Sequence, residues 1–213
     1  MQTAISHTDT GNFWDKIAPK YAKKPVDDPA AYEEKLVRVR ALLRAEDRVL
    51  EIGCGTGSTA LSLAPAVAEI TATDISRGMI EIAEEKRVMA GVKNAEFLQA
   101  DATEIFPEAP FDVVTAFSLL HLVDNVPAVL DAGYAQLKPG GLFLSKTGCL
   151  GDAHFGLRLF VRALGALGFA PPVTTLSKAD VSRALVAAGF DLVECQYFGK
   201  GRLNPFIVAQ RPT

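Results

Sequence analysis

Residues 49–57 read Val-Leu-Glu-Ile-Gly-Cys-Gly-Thr-Gly, and Asp74 closes the next apolar run. Val49 to Ile52 reads as a buried parallel strand, and Gly53, Gly55 and Gly57 make a tight turn without side chains. A ligand can lie against such bare backbone at the start of a helix. An acidic residue at the end of the following strand is placed to accept hydrogen bonds from both hydroxyls of a ribose. The pair points to a ligand that contains a nucleoside. The dinucleotide fingerprint, Gly-x-Gly-x-x-Gly, seats a pyrophosphate on the helix N-terminus. Here the spacing is Gly-x-Gly-x-Gly, Ser58 stands where the last glycine would fall, and Glu51 precedes the turn. A carboxylate is repelled by a pyrophosphate and stabilised by an ammonium group.

The elements that must position these residues alternate from Leu50 onward. Strand patterns fall at about 48–52, 69–74, 95–99, 111–117, 141–147, 190–198 and 205–210. The first five alternate with helices, as in a parallel sheet wound on both faces. One helix starts after Ser76 and stops at Gly91. A later one opens with Ser177-Lys-Ala-Asp180, a capping-box pattern, and ends at Gly189. Lys138-Pro-Gly-Gly141 reads as a turn, and the short link 199–204 makes the last two strands an antiparallel hairpin at one edge. Residues 12–44 look helical, with Tyr32, Leu36, Val39 and Leu43 on one face of the second helix, and 151–172 interrupt the alternation. The expected fold is a single α/β domain with a doubly wound seven-stranded sheet. Within it, 1–44 form an N-terminal helical lid, 45–150 the ligand-binding core, 151–172 a lid insertion, and 173–213 the rest of the core.

Together these segments resemble the class I S-adenosylmethionine-dependent methyltransferases, which have a Rossmann-like sheet, over roughly residues 45–210. Val49–Gly57 resembles the family's glycine motif, Ala72-Thr-Asp-Ile75 its ribose-binding strand end, and Gln99-Ala-Asp-Ala102 its adenine-binding segment. Phe111–Phe117 resembles its fourth strand, and Leu137-Lys-Pro-Gly-Gly141 the approach to the fifth. Phe13-Trp-Asp-Lys-Ile-Ala-Pro-Lys-Tyr21 resembles the N-terminal helix of the small-molecule branch, including ubiquinone- and menaquinone-biosynthesis enzymes. S-adenosylmethionine carries a sulfonium and an ammonium and no phosphate, which suits Glu51. The resemblance implies that Gly53, Gly55 and the Cys54 backbone line the methionine end, with Glu51 on the ammonium and Asp74 on the ribose. Ile75 and Met79 would pack on the adenine. Asp101 would accept from its amino group, and the Ala102 backbone would bond a ring nitrogen. Phe117 and Ser118 would run past the sulfonium, and Trp14 and Tyr21 would close over the methionine end. Cys54 reads as a small packing residue rather than a nucleophile. Trp14 has a second reading as a staple for the first helix.

Methyl transfer from a sulfonium is a direct displacement, so a base is needed only where the nucleophile must lose a proton. The candidate base is His121, in Ser118-Leu-Leu-His-Leu-Val-Asp124, with a structural or orienting role as the alternative. His7 and His154 offer less. The chain lacks the Pro-Pro-aromatic signature of amino-purine DNA methyltransferases and the Pro-Cys pair of cytosine-C5 enzymes. Net charge is −3, which does not favour a nucleic-acid partner. A small or medium organic acceptor is expected, and S-adenosylhomocysteine is the implied product. In 151–172, Phe155, Leu159, Leu164 and Leu167 are apolar, and Arg158 and Arg162 lie four apart. Such a helix can cover an apolar acceptor, join a homodimer, or rest weakly on a membrane surface; monomer and homodimer both remain open. Leu130–Leu137 departs from the quinone enzymes, which carry a Glu and then Arg-Val-Leu there. Three scattered cysteines, Cys54, Cys149 and Cys195, fit reduced thiols in a cytoplasmic protein and no metal site. The first residues show no secretory signal, and no apolar run is long enough to span a membrane. The rival functions are a nicotinamide-dependent oxidoreductase and a non-catalytic binder of S-adenosylmethionine.

Overall fold

A computed structural model describes residues 7–166, 171 and 173–213. The chain divides into two compact units, 1–104 and 105–213. In the first, α1 (His7–Ala22) and α2 (Pro29–Arg40) precede β1 (Arg48–Ile52), α3 (Ser58–Leu63), β2 (Glu69–Asp74), α4 (Arg77–Ala90) and β3 (Ala95–Gln99). β2 pairs in parallel with both β1 and β3, placing Glu51 opposite Ala72 and Asp74 opposite Gln99. β1 and β2 are buried nearly end to end, as strands of a doubly covered parallel sheet must be. The helix boundaries follow local chemistry. Asp28 accepts from the Ala31 amide to start α2, Ser76 from the Met79 amide to start α4, and left-handed Gly91 ends α4.

The second unit contains β4 (Phe111–Phe117), α5 (Val126–Ala135), β5 (Leu137–Lys146), α6 (Phe155–Ala166), α7 (Lys178–Ala187), β6 (Asp191–Gln196) and β7 (Phe206–Gln210). β4 and β5 are parallel, and β7 runs antiparallel to both β5 and β6. Phe111, Phe143, Phe206, Leu130, Leu137, Leu144 and Leu185 are fully buried there. Ser177 and Asp180 form the expected capping box at the start of α7. The seven strands make one sheet in the order β3-β2-β1-β4-β5-β7-β6, mostly parallel with the antiparallel hairpin at one edge.

Two local readings change. The expected turn at 138–141 lies inside β5. Leu137 pairs with Phe111 and Leu142 with Val113, so four residues bulge opposite one. The Gly140 amide donates to Arg211 O and the Arg211 amide to Gly141 O, which keeps the bulge in the sheet. Leu43 falls outside α2, and the buried face of that helix instead includes Lys35. In the 151–172 insertion, α6 leaves Phe155, Leu159 and Phe160 exposed; Leu167 lies outside the described residues.

Candidate functional site

The turn after β1 is held from both sides. Gly53, Gly55 and Gly57 have φ of 70°, 53° and 73°, in the region that favours glycine. The Cys54 amide donates to Thr73 O at 2.8 Å, tying the turn to β2, and the Gly57 amide closes back on Cys54 O. From α4, the Lys86 ammonium donates to Thr56 O, Thr56 Oγ1 and Ser58 Oγ. Gly55 and Gly57 serve different needs. A Cβ on Gly57 would meet the Phe97 ring at 2.7 Å and Ala83 Cβ at 2.8 Å, whereas one on Gly55 would meet nothing within 4 Å. Gly57 is required by packing, and Gly55 leaves open space over bare backbone.

Asp74 is fixed by two amides: Gly55 N–H donates to Oδ2 and Ser76 N–H to Oδ1, both at 2.9 Å. Each oxygen retains acceptor capacity for a further donor, which is what a vicinal diol offers. Burial raises its pKa, the two amide bonds oppose the rise, and Asp15 adds to it.

Glu51 is 3% exposed, and its Oε2 has no hydrogen-bond partner. The Ala60 amide in the first turn of α3 donates to its carboxylate. Burial pushes the carboxyl up to about 7, with Lys35 and the Ala60 amide opposing and Asp74 adding. The surroundings of Glu51 were missed in the sequence. Lys35 of α2 is 4% exposed, its Nζ donates to Thr59 Oγ1 at 3.3 Å, and it sits 4.5 Å from the centre of the Tyr32 ring. The Tyr32 and Thr59 hydroxyls share a hydrogen bond of 3.2 Å. One signal existed: Tyr32, Lys35, Leu36 and Val39 follow helical core spacing, and a lysine in such a stripe is a candidate for a buried partner.

Asp15 of α1 has a role that no local sequence pattern reveals. Its Oδ1 accepts from Ser76 Oγ at 2.6 Å and from the Gly78 amide at 2.9 Å, so α1 caps the start of α4. Small residues let the helices approach: Gly11 lies against Ile75 O and Gly78 against Ala18. On α1, Trp14 stands edge-on to Phe13 and to Tyr21, with ring centres at 5.4 and 6.1 Å, and Tyr21 is 48% exposed. Ile75 is half-buried, its carbonyl bonded by Gln99 Nε2, and Met79 is fully buried. Asp101 Oδ1 accepts from the amide and hydroxyl of Thr103, and Ala102 is half-buried beside it. The first unit therefore gathers Glu51, Gly53, Cys54, Gly55 and Asp74 around one turn. Cys54 is buried, and burial beside Glu51 and Asp74 pushes its thiol well up, which leaves it a packing group.

In the second unit Phe117 is buried and stacks on Phe206 with centres 6.4 Å apart. Ser118 has φ 55°, and its amide donates to Lys146 O at 2.6 Å. His121 Nδ1 accepts from the Gly148 amide at 3.4 Å, and its carbonyl accepts from the Thr174 amide. Burial lowers the His121 pKa, so the ring is neutral at pH 7. With Nδ1 as acceptor, the network assigns the proton to Nε2, and the remaining ring nitrogen is a donor. His154 Nδ1 instead caps the start of α6 through the Leu157 amide. Among the described residues no group of His, Cys, Asp and Glu could hold a metal ion. None of their helices is long and apolar enough to cross a membrane.

The arrangement fits a nucleoside with a cationic arm better than a dinucleotide. The Ala60 amide at the start of α3, which a pyrophosphate would need, is already bonded by Glu51.

Comparison with known proteins agrees. Residues 49–141 match the family model described as a methyltransferase domain. A demethylmenaquinone methyltransferase from Clavibacter sepedonicus is 39% identical over 99 residues, 46% of this chain and 39% of the relative. The chain spans about half the length, or less, of the curated relatives it matches. The [4+2]-cyclase SpnF superposes with a TM-score of 0.76 at 19% identity, covering 98% of both chains. The magnesium protoporphyrin IX methyltransferase ChlM of Synechocystis PCC 6803, solved with S-adenosylhomocysteine, gives 0.75 at 18% identity over 96% of this chain and 99% of its own. These two likenesses show the fold. The family match over 49–141 and the relatives' sequences place a methyltransferase domain in that segment.

Proposed function

We propose that this chain transfers a methyl group from S-adenosylmethionine to a small or medium organic acceptor and releases S-adenosylhomocysteine. The observation that carries the reading is Glu51 Oε2, a buried carboxylate oxygen beside bare backbone with no donor of its own. An ammonium group supplies what that atom lacks. In this reading Gly53, Cys54 and Gly55 present backbone to the methionine arm and Asp74 takes the ribose. Ile75, Met79, Asp101 and Ala102 serve the adenine, Trp14 and Tyr21 close over the arm, and Phe117 and Ser118 serve the sulfonium end.

The bound donor supplies an electrophilic methyl group whose neighbouring charge vanishes as a nucleophile attacks. The protein's task is then alignment and exclusion of water. His121, neutral and with its free nitrogen a donor, orients the acceptor rather than taking its proton. Relatives named for demethylmenaquinone and ubiquinone biosynthesis make an apolar aromatic acceptor the first class to try. The exposed Phe155, Leu159 and Phe160 of α6 beside Arg158 suit a cover for such a molecule or weak contact with a membrane surface. A cytoplasmic setting fits the free cysteines.

The cyclase SpnF has the same fold, and that observation favours a second reading in which the donor site is kept without methyl transfer. Incubation with labelled S-adenosylmethionine and a panel of metabolites separates them. Acceptor-dependent S-adenosylhomocysteine supports transfer, and tight binding without product under every acceptor supports the second reading. Asp74→Ala is expected to weaken the cofactor about 100-fold, the ~3 kcal/mol of losing two hydrogen bonds to a charged group. Unchanged affinity by calorimetry refutes the ribose assignment.

A further inference from the structure

We propose that Lys35 on α2 is a positioning residue for the methyl donor: it gives Glu51 the charge it needs to receive the donor's ammonium group. The inference rests on the S-adenosylmethionine reading above and concerns how that site is kept ready.

A lysine that is 4% exposed is rare unless a counter-charge faces it. The attraction acting on Glu51 comes from Lys35. Lys35 also donates to Thr59, the neighbour of Ala60, whose amide bonds Glu51. Thus α2 and the first turn of α3 deliver an ammonium, a hydroxyl and an amide around one carboxylate. Among the described residues none of these reaches Oε2, which has no hydrogen-bond partner. That atom is the seat left for the donor.

The other groups around Glu51 work against its ionisation or add no positive charge. Burial disfavours the charged form, and Asp74 of β2 repels it. Asp15 of α1 acts on Asp74 in the same sense. Tyr32 of α2 and Cys54 of the turn are neutral at pH 7, each held up by its own burial and by Glu51. Lys35 is the cation that opposes all of these. Even with it, Glu51 titrates near 7. Without it the carboxyl keeps its proton at neutral pH, and a carboxylic acid cannot pair with an ammonium ion. Lys35 also repels the incoming cation. The ionisation it secures outweighs this at neutral pH and no longer does so once the medium alone deprotonates Glu51.

The test is calorimetric binding of S-adenosylhomocysteine, a ligand with the same arm and no turnover, across pH, with Lys35→Met and Lys35→Arg. Wild-type affinity is expected to climb as pH rises through about 7. In Lys35→Met the climb moves upward by at least one pH unit, so binding at pH 7 falls at least about fivefold and recovers in base. Lys35→Arg retains the wild-type midpoint. Lys35→Gln keeps a donor to Thr59 and replaces the methionine variant should that fail to fold.

The ligand-free protein gives a second readout. The folded pKa of Glu51 lies above its ordinary 4.5. Its contribution to stability is therefore complete below 4.5 and lost as pH rises through about 7. The loss extends to higher pH in the neutral variants. Weaker binding with an unshifted pH profile overturns the proposal and leaves Lys35 a packing residue. A wild-type protein that binds no S-adenosylhomocysteine at any pH refutes the donor reading itself, with the proposal.

Discussion

The ends of β1 and β4 make the same manoeuvre with different means. Each strand runs into backbone of left-handed conformation. After β1, three glycines adopt it at φ 70°, 53° and 73°; after β4, Ser118 adopts it at φ 55°. An L-residue there costs about 1–2 kcal/mol, whereas glycine bears little of that cost. The β1 turn is thus permitted by its own residues. The β4 turn is imposed by a neighbour, through the 2.6 Å bond from the Ser118 amide to Lys146 O. Local chemistry fixes one strand end, and tertiary contact fixes the other.

The sharpest way to break the comparison is Gly57→Ala. The added methyl meets a buried ring at 2.7 Å and Ala83 at 2.8 Å in a left-handed conformation. Overpacking and backbone strain together are expected to remove about 3 kcal/mol of stability, read by urea denaturation. Gly55→Ala tests the same turn without the packing. Its methyl enters open space, so the stability loss is only the backbone's ~1 kcal/mol, while cofactor affinity falls by more than tenfold. Were the two variants equally unstable and equally able to bind, the division between a packing glycine and a ligand glycine would fail.

The same division explains what the sequence disclosed. Glycine spacing, Glu51, Asp74, the Ser76 cap and the Ser177–Asp180 box are local patterns, and the strands and helices stand where those patterns put them. Lys35, Asp15 and Lys86 matter through partners far along the chain: Thr59, Ser76 with Gly78, and Thr56 with Ser58. No single-sequence pattern pairs residues at such distances. The bulge at 138–141 was hidden for a related reason, because Pro139 and Gly140 spell a turn locally and only the bonds with Arg211 hold them in the sheet.

In the second unit, His121→Ala sharpens the contrast on the functional side. Losing one orienting hydrogen bond of about 1 kcal/mol is expected to lower turnover roughly fivefold with cofactor affinity unchanged. Burial holds the imidazole pKa below its ordinary 6.5. Its contribution to stability is therefore present above 6.5 and lost as pH falls through the lower folded value. His121→Gln removes that acid sensitivity. A kcat that climbs tenfold per pH unit to a plateau, and loses the climb in the variant, would instead make His121 a base.

The smallest effect concerns Ser118 itself. If the Lys146 carbonyl imposes the conformation, replacing the residue by one that accepts it freely relieves strain without disturbing the bond. Among the described residues the Ser118 side chain makes no hydrogen bond that Ser118→Gly would lose, and the amide that donates to Lys146 O remains. Glycine also gains freedom in the unfolded chain, which costs the folded state up to about 1 kcal/mol. The two terms oppose, and the strain of a left-handed serine is the larger, so a net gain of about 0.5 kcal/mol is expected in urea denaturation. Ser118→Ala keeps the strain and is expected to match wild type. A glycine variant less stable than the alanine variant would show that β4, like β1, ends on backbone its own residue tolerates.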